Sequence, residues 1–425
     1  MNRALFYLSN HEDNIYSVKF FDENNLLSSC NCGLVTLWDL CKIKSIINFK
    51  VSNYSALYSN FFNNDKFFVK TKEGSLKIWD MNYDKCVTKL NTNNFTFAKP
   101  YSLNNQLVTP INHNGDIAIC DINIKQNTSF NKDAFINDEF YNFNNIPLSN
   151  RSEVNDNNTF NKSDNNTFNK SDNNPFNKSD NNSFNKSDNN TFNKSDNKIY
   201  NNFNDYILTP GKTNTFNKLV ISFKEIKKKI KNIEILSNKE DKDYEKFLNN
   251  NLNMFNEIID IYPLKYFGET FILVCYEPSL FCIYDYRMTN NLISSFMLDM
   301  NKNVLSFNIN NNNCIISTNN NFMYYLSFDK NQKIQLKKVV CNEYNNNQVV
   351  IRPDDQIFLS ISNNSTINIY ELNKIKLIDH ISSYKFNHFN FLDFHNLSGF
   401  FAAAENSKIS IWSNYANNFN SIKNN

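Results

Sequence analysis

Glycine and proline are scarce in this 425-residue chain, 6 and 8 in number, and tryptophan occurs three times. With so few glycines, phosphate-cradling loops are absent: there is no G-x-x-x-x-G-K-[ST] and no G-x-G-x-x-G, nor is there an H-E-x-x-H or a G-x-S-x-G. No stretch approaches the ~18 consecutive apolar residues a membrane helix needs. The opening MNRALFYLSNHEDN reaches acidic residues too early for a secretory leader, so a nuclear or cytoplasmic protein without a membrane partner is expected. Charge of one sign is lacking too. With 44 basic and 42 acidic residues the net charge is +2, which gives no global field to attract nucleic acid, and no direct nucleic-acid binding is expected. The nine cysteines are odd in number and scattered, which reads as reduced thiols. Only Cys30 and Cys32 lie close together. They offer two of the four ligands of a structural zinc and read as strand-end residues, so no metal is expected.

Asparagine takes the place of the missing turn formers. Runs such as Asn310 to Asn313 and Asn319 to Asn321 mark turns, because Asn tolerates the left-handed backbone that Gly usually supplies. Once these are read as turns, a period emerges. GLVTLWDL (33–40) is followed by GSLKIWDM (74–81), and the Trp-Asp slot recurs as Trp38-Asp39, Trp79-Asp80, Cys120-Asp121, Tyr284-Asp285, Leu326-Ser327, Tyr370-Glu371 and Trp412-Ser413. The intervals are 41, 41, 164, 42, 44 and 42 residues. Five of the six match the ~40 to 45 residues of a four-stranded propeller blade, and the long one is a blade plus an insertion of roughly 123 residues. Each unit carries short β-rich runs, for example SVKFFD, NLLSSC and LVTLWDL. The fold class implied is all-β, a seven-bladed WD-repeat β-propeller. The slot tryptophan is expected to fill the gap between neighbouring blades and to find a hydrogen-bond partner for its indole N–H.

The last unit stops at Trp412-Ser413 without an outer strand, and ALFYL (4–8) precedes the first unit unassigned, so the two ends are expected to pair and close the ring. Residues 1–123 are assigned to the closing strand and blades 1–3, 124–247 to the insertion, 248–415 to blades 4–7 and 416–425 to a disordered tail. Within the insertion, residues 157–197 repeat an Asn-Thr-Phe-Asn-Lys-Ser-Asp-Asn octapeptide five times. One Phe in eight buries too little to offset chain ordering, so disorder is expected. FKEIKKKIKNIEIL places Ile226, Ile230 and Ile233 on one helical face against a lysine-rich one and reads as a solvated helix flanking the loop.

The candidate site residues are accordingly structural: His11, Trp38, Asp39, Trp79, Asp80, Asp121, Tyr284, Asp285, Tyr370 and Trp412. Among the five histidines, His11 precedes the first blade at the spacing of a blade histidine and is assigned a structural role. His380 and His388 precede the last blade, and His113 and His395 fall in turns. No catalytic or cofactor-binding residue is assigned, and an enzyme is not expected.

VCYEPSLFCIYDYR (274–287), VVIRPDDQIFLSISNNSTINIYEL, FFAAAENSKISIWSNY and the Trp-less unit FAKPYSLNNQLVTPINHNGDIAICDI together resemble the ASTRA-associated WD-repeat proteins, known in animals as the guanine nucleotide-binding protein β-subunit-like protein one. The resemblance covers some 300 residues in seven units and departs at Pro278, Leu326, Asn364 and Asn406, where the family has an acidic residue, Trp, Asp and Asp. It implies a non-enzymatic adaptor, monomeric within a hetero-complex. Its implied partners are the co-chaperone trio that delivers phosphatidylinositol-3-kinase-like kinases to the cytosolic heat-shock chaperone, and chromatin-linked assemblies. The alternatives are a WD-repeat scaffold of another complex, in RNA processing or ubiquitin-ligase recruitment, and a lipid-binding propeller. The last would need an adjacent arginine pair, whereas Arg3, Arg151, Arg287 and Arg352 stand apart.

Overall fold

The computed structural model describes residues 4–103, 105–122, 218–230, 234–236, 255, 257–266, 269–287, 292–298, 303–320, 322–328, 334–340, 346–383 and 388–413. The octapeptide segment, Ile233 and the C-terminal tail lie outside the described residues.

Seven sheets follow one another along the chain, each built on four antiparallel strands. In blade 1 the strands, named a to d from the channel outward, are Ile15–Phe20, Asn25–Cys30, Leu34–Asp39 and Lys44–Lys50. Blade 2 repeats this with Ala56–Asn63, Lys66–Thr71, Ser75–Asp80 and Lys85–Asn91. Blades 5 and 6 run over Val304–Asn310, Asn313–Thr318, Phe322–Phe328 and Ile334–Val340, then Asn346–Ile351, Ile357–Ser362, Thr366–Glu371 and Lys376–Ser382. Blade 7 takes Phe389–Phe394, Phe400–Glu405 and Lys408–Ser413 from the end of the chain and its outer strand, Phe6–Ser9, from the beginning. Phe6 pairs with Ile411 and Leu8 with Ile409, and Ile15 N donates to Asn406 O at 2.7 Å, so the first residues join blade 7 to blade 1. Closure removes the two free edges that an open array would present.

The repeating slot has one structural position. Trp38, Trp79, Cys120, Tyr284, Leu326, Tyr370 and Trp412 all sit near the end of strand c, opposite Leu26, Phe67, Leu107, Ile272, Cys314, Phe358 and Phe401 of strand b. Slot residues bridge to the preceding blade. Trp79 packs with Leu27, Val35 and Phe49 of blade 1, Tyr370 with Ile315 and Met323 of blade 5, and Trp412 with Leu359 and Ile369 of blade 6. The turns are written in asparagine as anticipated: Asn93, Asn105, Asn112, Asn311 and Asn406 all take positive φ.

The stretch between blades 3 and 4 differs from the sequence expectation. Blade 3 consists of Tyr101–Leu103, Gln106–Ile111, Asp116–Asp121 and an outer strand, Lys218–Ile221, that pairs with Asp116–Asp121. The propeller therefore resumes at residue 218, well before the boundary set at 247, and the long interval is split in two by a blade strand. The helix Phe223–Lys229 is not a solvated flank. Phe223, Ile226 and, at its C-terminal end, Ile230 are buried in the core shared by blades 3 and 4, with Phe223 stacked 3.9 Å from Tyr276. Only the lysine side of the amphipathic reading faces out, at Lys224, Lys228 and Lys229. After the helix, Glu234–Ile235 adds a fifth, parallel strand to blade 4 (Ile258–Tyr266, Glu269–Tyr276, Leu280–Tyr284, Leu292–Met297). Short segments of high Asn content hide such strands, since four residues carry too little periodicity to separate from their surroundings.

Candidate functional site: the two faces and the channel

The expected blade residues divide into buried fillers and turn caps. In blade 1, Ser28 Oγ lies 2.7 Å from both His11 Nε2 and Trp38 Nε1, and the indole donates to it. Burial lowers the His11 pKa to about 4, so the ring is neutral at neutral pH. The indoles of Trp79 and Trp412 do not meet the expectation, for each N–H is buried without a partner. The register explains why. The residue two beyond the slot's cross-strand partner is Ser28 in blade 1 but Val69 in blade 2 and Ala403 in blade 7, and neither has a hydroxyl to accept. Tyr284, by contrast, reaches Tyr276 Oη at 3.0 Å, and Tyr370 stacks on Phe358 at 4.8 Å.

The aspartates that follow the slot hold the turn between strands c and d. Asp39 accepts from Lys42 N at 2.9 Å, Asp80 from Asn82 N at 3.0 Å and Asp285 from Arg287 N at 3.0 Å. Hydrogen bonds from the Lys42 and Arg287 side chains hold the Asp39 and Asp285 carboxyls below the usual range. Asp121 occupies the same strand-end position, opposite Gln106. Trp-Asp is thus one filler followed by one cap, and none of these residues forms a reactive constellation.

Where the seven inner strands converge they enclose a cavity of about 170 Å³. Lys19 contacts Asp393 at 2.5 Å, and Phe20 N donates to the same carboxylate at 2.9 Å, which ties blade 1 to blade 7. Lys99 contacts Asp260 at 3.1 Å and lies 5.4 Å from the Phe391 ring, which ties blade 3 to blade 4. Burial alone would lower Lys19, but the adjacent Asp393 more than offsets it, and the lysine holds its proton above the ordinary value. Gln348 brackets Leu392 with two backbone hydrogen bonds, and Asn308 accepts from Ile351 N. Lys19, Lys99, Asn308 and Gln348 thus each bond across to a neighbouring blade. Between blades 2 and 3, Lys70 is fully buried and donates to Asn94 Oδ1 at 2.8 Å and Ala98 O at 2.9 Å, and burial pushes its pKa down to about 7.

The face that carries the b–c turns and the blade-to-blade connections is different in character. Tyr54, Phe95 and Phe97, in the connections after blades 1 and 2, are 58, 49 and 68% exposed. They are nonetheless held. Phe95 stacks on His113 at 5.4 Å and covers Gly74, Phe97 meets the Tyr16 ring at 6.0 Å, and Tyr16 Oη donates to Asn31 Oδ1. Gly33, with φ +78°, lies so close to the 52–54 backbone that a Cβ there would come 2.2 Å from Ser52 O and 2.5 Å from Tyr54 O. Exposed aromatics thus stand on connections whose backbone packs closely against the blade turns. This surface was not anticipated from the sequence. Its signal was present in NYSA and NFTFAKP, which place aromatics inside turn-like segments.

No family model matches the sequence, and no curated protein matches it. Among solved structures, the β-propeller domain of Cps50 (Swd1) from Myceliophteria thermophila aligns over 97% of this chain and 99% of its own, with a TM-score of 0.60 and 10% identity. At that identity the likeness speaks to the fold, and 1509 solved chains match this one in all. By fold, the chain is a seven-bladed β-propeller.

Proposed function

We propose that this propeller is a non-enzymatic adaptor that engages protein partners through the aromatic face of blades 1 to 3. Specifically, it would act as the ASTRA-associated type of WD-repeat protein does, with the co-chaperone trio that serves phosphatidylinositol-3-kinase-like kinases and with chromatin-linked assemblies. The observation that carries the adaptor reading is the exposure of Tyr54 and Phe97 on connections whose backbone is pinned. The kinase-assembly reading rests on the resemblance in residues 274–287 and in the units that became blades 6 and 7. It places the protein in the nucleus, the cytoplasm or both.

Affinity purification of the tagged chain tests both levels. Recovery of the co-chaperone trio supports the specific role, and substitution of Tyr54 and Phe97 by Ala should weaken that recovery by about 2 kcal/mol or more, roughly thirtyfold. Depletion should lower the level of at least one giant kinase without lowering its messenger RNA. Complexes dominated by RNA-processing or ubiquitin-ligase components, with kinase levels unchanged, would replace this role with that of a scaffold for another assembly.

A further inference from the structure

The b–c turn of blade 1 carries two thiols facing one another. Cys30 ends strand b and is fully buried, Cys32 is partly exposed, and their sulfurs are 2.7 Å apart with both cysteines free. The two sulfurs already face one another across the turn, within reach of the about 2.05 Å that a disulfide requires. The Lys50 ammonium donates to the Cys32 carbonyl at 2.7 Å and so anchors the turn at the more accessible of the two cysteines. We propose that Cys30 and Cys32 form a reversible disulfide within this turn, and that its oxidation state sets the position of the aromatic face.

The chemistry balances with a hydroperoxide as oxidant. The Cys32 thiolate attacks hydrogen peroxide, an S–O bond forms, the O–O bond breaks, and the departing hydroxide leaves as water. Cys30 sulfur then attacks Cys32 sulfur, the S–S bond forms, the S–O bond breaks, and the second hydroxide leaves as water with the Cys30 proton. The two sulfurs together lose two electrons, which reduce one peroxide, and a small dithiol reverses the reaction. Burial raises the Cys30 pKa, which suits it to resolve rather than to initiate.

Transmission to the face follows from what the turn holds. Asn31, between the two cysteines, accepts from Tyr16 Oη at 3.2 Å and from Ser55 Oγ at 2.7 Å, and Tyr16 in turn supports Phe97. Gly33 N donates to Cys30 O, while Gly33 O accepts from Val51 N at 3.0 Å, directly ahead of Tyr54. Bridging across a single residue imposes a disulfide dihedral near 90° on this turn, and the turn cannot adapt without moving Asn31 or Gly33. This second step rests on the adaptor reading given above, whereas the thiol chemistry does not.

The test uses the full-length chain, oxidised with hydrogen peroxide or reduced with a dithiol, then unfolded in denaturant so that buried thiols react, blocked with a maleimide, cut with trypsin and weighed. The peptide 20–42 contains Cys30, Cys32 and the exposed Cys41. Reduced, it should take up maleimide on all three cysteines. Oxidised, it should take up maleimide on Cys41 alone and lose two hydrogens, and Cys41→Ser should leave the pair forming while Cys32→Ser abolishes it. Sulfinic acid at Cys32 with Cys30 still alkylated, or a bridge to Cys41 instead, would overturn the proposal. Amide exchange at 31–34 and 50–55 should quicken on oxidation in the wild type and stay constant in Cys32→Ser. A disulfide that leaves exchange unchanged would refute the coupling to the face. Failure of the adaptor reading is separately visible, as retention of every partner by Phe97→Ala.

Discussion

Replacing His11 by Phe removes the one titrating group of the His11–Ser28–Trp38 cluster while keeping a ring in the buried space. His11 has a pKa near 6.5 when unfolded and about 4 when folded, because burial disfavours the imidazolium. Between those values the unfolded chain binds more protons, so the contribution is whole above pH 6.5 and is lost as pH falls toward 4. At 1.36 kcal/mol per pH unit the full loss is about 3 kcal/mol, of which about 2 kcal/mol has gone by pH 5. Urea unfolding followed by tryptophan emission at pH 7, 6 and 5 gives the stability difference between wild type and His11→Phe. Carboxylates and the part-buried His395, which burial also lowers, titrate in both proteins and cancel. The wild-type advantage should therefore shrink by about 2 kcal/mol from pH 7 to pH 5. A difference that stays level across this range would mean that His11 is solvated enough to ionise in place, and the account of the cluster would fail.

Ala403→Ser places a hydroxyl at the blade 7 position that Ser28 holds in blade 1, so Trp412 Nε1 should gain its missing acceptor and the protein about 1 kcal/mol, read from the urea midpoint. Gly33→Ala forces a Cβ to 2.2 Å from Ser52 O at φ +78° and should cost more than about 2 kcal/mol, seen as a lower melting temperature. Lys70, lowered to about 7 by burial, gives a wild type that gains about 1.5 kcal/mol between pH 7 and 8.5 as the ammonium loses its proton, and Lys70→Met should lack that gain in denaturant titrations at the two pH values. Deleting residues 1–9 strips the strand that pairs with Lys408–Ser413, and light scattering should report aggregation through the bared edge, whereas a monodisperse truncated protein would show that closure does not depend on it.

The ring and its closure were legible because each depends on a residue that the geometry demands at a fixed interval. A filler is needed once per blade at the same cross-strand position, so Trp38, Trp79, Tyr284, Tyr370 and Trp412 announce the period even where the aromatic changes. The hydrogen bonds of the fillers were not legible from the fillers themselves. They depend on what strand b offers, and Ser28, Val69 and Ala403 differ at a position with no pattern of its own. The aromatic face was hidden for a related reason. Tyr54, Phe95 and Phe97 belong to connections, where no periodicity separates an exposed aromatic from a buried one, and their placement depends on distant partners: Gly33 under the 52–54 backbone, His113 and Gly74 against Phe95, and Tyr16 against Phe97.

The placement of the helix Phe223–Lys229 has an energetic logic that the sequence reading overlooked. The outer strand of blade 3, Lys218–Ile221, is short, and the slot of that blade holds Cys120 rather than a large aromatic. Phe223, Ile226 and Ile230 are buried at 0, 0 and 5% exposure beside Tyr276 and Tyr284, and each such side chain contributes about 1.5 to 3 kcal/mol. The helix therefore belongs to the propeller as a wedge between blades 3 and 4, and its lysines face out because its apolar side is already spent on that gap. The amphipathic pattern of residues 223–230 is the sequence record of that packing.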